Sequence, residues 1–139
     1  MATFNKFNSF VEALAEKKHN LGSDTLKVML TVTPPSASDT QKSDISELTP
    51  GNGYVAGGLT VTITSSAQTS GTYKLVGSDV TFTAAGGSLG PFRYIVLYND
   101  TATNKELIGY WDNGSSVTLA DTESYPIDFS SSNGILQVA

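Results

Sequence analysis

The chain has 139 residues, of which 39% are hydrophobic and only 15% charged. That suits one domain able to bury roughly two-thirds of its unfolded surface around a single core. The net charge is −5 and Lys17-Lys18 is the only adjacent pair of cations. The clustered basic surface that phosphate binding requires is therefore missing, and no nucleic-acid partner is expected. Cysteine is absent, which excludes a disulfide framework and a thiolate metal site.

Residues 4–19 carry the one sustained helical period: Phe4, Phe7, Val11 and Leu14 recur at spacings of three and four, with Phe10 beside them. Thr3 offers an N-cap, Lys17, Lys18 and His19 suit the negative end of the helix dipole, and Gly22 offers a stop. Ser9 and Glu12 offer a rival capping box, which would start the helix near residue 10 and leave an extended arm before it. Residues 1–22 are thus read as an N-terminal helix or arm.

From Thr25 the period changes to two, with Leu26, Val28, Leu30 and Val32 on one face, until Pro34 and Pro35 stop the strand. Residues 34–58 read as a long loop anchored only by Ile45, Leu48, Tyr54 and Val55. Strands are then expected at 59–63, 73–75, 80–82, 92–98, 107–111, 117–119, 127–129 and 135–138. Gly86-Gly87, Asn99-Asp100, Asn113-Gly114 and Asn133-Gly134 supply the intervening turns. The expected fold is all-β, a β-sandwich or jelly roll with one N-terminal α-helix, forming a single domain over residues 1–139.

The strand at 92–98 is apolar on both faces, Phe92, Tyr94, Val96 and Tyr98 on one and Ile95 and Leu97 on the other. One face is expected to meet the sandwich core, and the other the N-terminal helix or a second subunit. Phe4, Phe7, Phe10, Val11, Leu14, Ile95 and Leu97 are accordingly the candidate subunit or capsid interface. The long loop is a possible second contact.

Chemistry is sparse. His19 is the only histidine and is read as an exposed cation at a helix end. No phosphate-cradling loop, nucleophile elbow or calcium loop is present, so no catalytic residue, metal ligand or cofactor is assigned. Asp112, Asp121, Glu123 and Asp128 could converge in space as a glycosidase-like pair would, although acids at strand ends are ordinarily solvated. Tyr110-Trp111 with Tyr94 and Tyr98 would suit a sugar-stacking platform of a carbohydrate-binding module. The first residues lack the apolar core of a secretory signal and no run is long enough to span a bilayer, so neither export nor a membrane partner is expected.

Several stretches carry a resemblance. They are the opening Phe-Asn-Lys-Phe with Leu21-Gly22-Ser23-Asp24-Thr25-Leu26-Lys27-Val28, the block from Ser65 through Thr72-Tyr73-Lys74-Leu75, and Phe92-Arg93-Tyr94 running to Tyr98-Asn99-Asp100. Together with the ending Ile127-Asp128-Phe129 to Asn133-Gly134-Ile135-Leu136, they resemble small structural proteins encoded in tailed-bacteriophage genomes. Capsid cement or decoration proteins are the nearest architectural comparison, and tail or head–tail connector components the runner-up. The resemblance implies a non-catalytic virion protein assembled in the host cytoplasm, homo-oligomeric with a trimer favoured, and partnered by the major capsid protein or other virion proteins.

Overall fold

A computed structural model describes residues 2–139. Its elements are β1 (Phe4–Lys6), α1 (Ser9–Ala15), β2 (Leu26–Thr31), β3 (Leu59–Val61), β4 (Ile63–Thr69), β5 (Thr72–Gly77), β6 (Val80–Thr83), β7 (Leu89–Asn99), β8 (Leu107–Leu119), β9 (Ser124–Ile127) and β10 (Leu136–Val138). One layer is a five-stranded antiparallel sheet in the order β1-β8-β7-β2-β3. The facing layer holds a three-stranded sheet, β10-β5-β4, and the pair β6-β9. Leu26, Val28, Ile95, Leu97 and Trp111 from the first layer pack with Leu75, Phe82, Ile127 and Leu136 from the second. The alternating pattern of the sequence thus becomes an all-β sandwich with one short helix.

The N-terminal segment departs from the expected helix over 4–19. Phe4–Lys6 is an edge strand paired antiparallel with Gly109–Trp111. Phe4 lies 5.2 Å from the Trp111 ring and over Gly109, where a Cβ would collide with the phenyl group. Pairing to β8 satisfies backbone groups that a first helical turn would leave unpaired, so tertiary context overrides the local period. The helix starts only at Ser9, with Asn8 as its N-cap and no side-chain cap, so neither Thr3 nor the Ser9-Glu12 box caps it. Nor does Gly22 end it. The Lys18 N–H donates to the Ala13 carbonyl and the Lys17 N–H to that of Leu14, closing a Schellman turn with Lys17 at φ 68°.

A second departure lies in β8. Residues 107–119 form one strand where two were expected, and Asn113-Gly114 sits inside it as a bulge rather than a hairpin turn. The step from Phe92 to Tyr94 on β7 is matched by the longer step from Asp112 to Val117 on β8. Gly114 at φ 92° supplies the positive φ this bend requires. The shift also moves Phe92 to the core face with Ile95 and Leu97, its ring 5.1 Å from Tyr125.

The opposite face of β7 is closed within the chain. Val96 and Tyr98 form a second cluster with Phe7, Met29, Ile45 and Leu107, flanked by Tyr110. Within the chain, its cover is the Phe7 linker and the long loop rather than the helix. Loop residues 34–58 are pinned by Tyr54, 2% exposed, and by Glu47. Glu47 accepts from Lys42 at 2.8 Å, the Tyr54 hydroxyl at 2.7 Å and the Gly57 N–H. Burial raises the Glu47 carboxyl, and these donors outweigh it to leave the group below its ordinary value.

Candidate functional site

Most candidate interface residues lie inside the subunit. Phe7, Phe10, Ile95 and Leu97 are buried, Phe4 and Leu14 are half-buried against the core, and only Val11, 51% exposed, faces solvent. Three of the four rings of the expected aromatic platform are likewise interior. Trp111, Tyr94 and Tyr98 are buried, with Trp111 wedged between Phe4 and Phe129, and Tyr110 is half-buried against Phe7 and Tyr94. The three buried rings present no open face for stacking. Three of the four acids are engaged separately: Asp112 takes a two-pronged bond from Arg93 at 2.8 and 3.1 Å and the Gly114 N–H, Asp121 accepts the Gly86 N–H, and Glu123 the Ala120 N–H, while Asp128 is exposed. The Arg93 guanidinium and the Gly114 amide hold the Asp112 carboxyl below its usual range.

The most developed polar constellation lies elsewhere, where the end of α1 meets the β7–β8 loop. The left-handed Lys17 reverses the chain so that His19 folds under the helix, its ring 5.5 Å from Phe10. His19 is 5% exposed, which overturns its reading as an exposed cation. Asp24 Oδ2 accepts the Asn20 N–H at 2.8 Å, and Thr25 and Asp100 are tied by a backbone bond. The 20–25 connector is thereby clamped to the loop that follows β7. Asn99, fully buried at the end of β7, completes the join.

Asn99 fixes the chemistry of the histidine. Its Oδ1 accepts the N–H groups of Thr101 at 3.0 Å and Ala102 at 3.1 Å, so its other terminal atom is the amide nitrogen. That nitrogen donates one hydrogen to Asp24 Oδ2 at 2.7 Å and directs the other to His19 Nδ1 at 3.0 Å. Nδ1 must then be an acceptor, which leaves a neutral imidazole with its proton on Nε2. Burial lowers the His19 pKa, against the attraction of Glu106 and Asp24. Both His19 Nε2 and Glu106 Oε2 are buried without a hydrogen-bond partner.

Above them opens a cavity of about 980 Å³, walled by Leu14, Leu21, Tyr73 and Val138 on its apolar side and by His19 and Glu106 on its polar side. Sequence reasoning missed this group because His19 and Asn99 are 80 positions apart. Asn99-Asp100 carried only a turn signal. Among the described residues no set of three potential metal ligands converges, and no helix is long and apolar enough to cross a membrane.

The fold is an all-β sandwich with one short helix, and a concave opening lies where α1 ends. Comparison with protein-family models, curated proteins and solved structures finds no match.

Proposed function

We infer that the chain is a non-catalytic structural protein of a tailed-phage virion, serving as a capsid cement or decoration subunit. The observation that carries this reading is a long uncharged surface. No charged residue occurs between Glu47 and Lys74, although the chain as a whole is acidic. Within that stretch Val55 is 69% exposed and Thr64–Thr69 of β4 are exposed in succession. β4 is the outer strand of its sheet, paired only with β5 among the described residues.

Natural edge strands are usually guarded by lysine, proline or bulges. Here a bulge between Ile63 and Ser65 protects only the start, and the rest is Ser, Ala, Gln and Thr. Interface centres are depleted in charge because desolvating charges is costly. An edge of this kind suits a partner that pairs with it through backbone groups. The proposed partner is the major capsid protein, with cement subunits arranged as trimers about three-fold positions so that equivalent patches meet. Contacts made only in the assembled shell would stabilise the mature lattice by mass action.

The test is an electron-microscopy map of the intact particle. Density for this chain over capsomer junctions supports the cement role. Density in the neck or tail, or none in the particle, overturns it.

A further inference from the structure

We propose that His19 is an acid-operated latch: its protonation drives the ring from beneath α1 and opens residues 20–24 while the sandwich stays folded. The surroundings of the ring do not let it take up a proton where it sits. Asn99 Oδ1 is committed to the Thr101 and Ala102 N–H groups, so the Asn99 amide meets Nδ1 only as a donor, at 3.0 Å. A proton on Nδ1 would set N–H against N–H. Turning the Asn99 amide over to receive it would give up both backbone bonds and the 2.7 Å bond to Asp24. His19 is 5% exposed, so solvent does not replace Asn99 as its partner.

Nor do the charges around the ring hold an imidazolium there. Glu106, just ahead of β8, and Asp24, on the connector, attract it, Lys18 beside it repels it, and burial outweighs their attraction. Asp100, next along the loop, is engaged by Lys105 and Lys27, and α1 meets the ring with Phe10. The proton is therefore taken up in the open form, and acid shifts the population toward it. Opening is bounded at both ends. Lys17, in the left-handed turn after α1, marks one hinge. At the other, the Thr25 N–H donates to Thr101 Oγ1 at 2.8 Å and the Thr25 carbonyl accepts the Asp100 N–H at 2.8 Å, and neither bond involves the ring. Between the hinges Leu21, a member of the main core, is uncovered. The latch stands whether or not the chain is a cement protein.

The experiment is native-state hydrogen exchange on the full chain at about pH 7.5 and 5.5, corrected for intrinsic rates and repeated in low urea. The Asn20, Ser23 and Asp24 N–H groups bond only within the connector. With the open form titrating near 6.5, their protection should fall by about three- to tenfold between these pH values. It should vary little with urea, whereas Val96 and Leu97 in β7 should exchange only through the urea-sensitive global transition. Long-range proton–nitrogen NMR at neutral pH should show the His19 Nε2–H tautomer, and His19→Gln should abolish the acid effect. An Nδ1–H tautomer, no fall at the connector, or connector exchange with the urea dependence of β7 would each overturn the proposal, and all three are read from the natural chain. The same acid effect in folded His19→Gln would overturn it too.

Discussion

His19 links three separate segments, and its neutrality makes the fold sensitive to mild acid. Burial depresses its pKa in the folded state, while in the unfolded chain it titrates near the ordinary value of about 6.5. As pH falls through that value the unfolded chain takes up a proton that the folded chain resists. Stability should therefore decline from about pH 6.5 downward until the depressed folded pKa is passed. Asp44, Glu47, Asp100 and Asp112, held low by their donors, add their losses only in the carboxylate range below about pH 4. Urea midpoints measured at about pH 7.5 and 5.5 should differ in the natural chain, and the difference should shrink in His19→Gln. The neighbouring Lys17 is a non-glycine residue in the left-handed region. Lys17→Gly should relieve about 1 kcal/mol of backbone strain and raise the urea midpoint, although glycine's extra chain entropy offsets part of the gain.

At the scale of elements, the N-terminal segment belongs to the domain. β1 completes one edge of the large sheet, Phe7 seals the outer face of β7, and Phe10 enters the main core. Phe7→Ala should destabilise by about 3–5 kcal/mol in denaturant titration, since the ring is fully buried. Deleting residues 1–20 should leave a chain that fails to unfold cooperatively, whereas a detachable docking arm would be lost without change in the transition. β7 makes the parallel point. Ile95→Lys would place an ammonium group in the core, so the expected result is an unfolded protein rather than a folded monomer released from an oligomer.

For the whole molecule, the open edge of β4 gives the assembly reading its own check. Ala67→Lys puts a charge at an exposed position in the middle of that strand, where it should shift stability by no more than about 0.5 kcal/mol. Particles assembled with this variant should carry fewer copies, read by gel densitometry of purified virions. Full occupancy with an intact fold would move the contact away from β4.

Fold class and several strand positions were legible in the residues themselves, because a period of two, turn dipeptides and a low share of helix formers all act locally. Leu26 to Leu30, 73–75 and 92–98 needed no more than that. By contrast, β4 runs to Thr69 beyond the strand expected at 59–63, and β9 covers Ser124–Ile127 rather than 127–129. Three features waited on the tertiary structure. Phe4–Lys6 has the spacing of a helix but becomes a strand because β8 offers its backbone a partner. Asn113-Gly114 has the composition of a hairpin turn but lies in a bulge because β7 continues opposite it. His19 looks like a helix-end cation, yet Asn99, from 80 positions away, pairs with one ring nitrogen and burial keeps the ring neutral. In each case the deciding contact joins residues far apart in the chain, and only the folded molecule brings them within bonding distance.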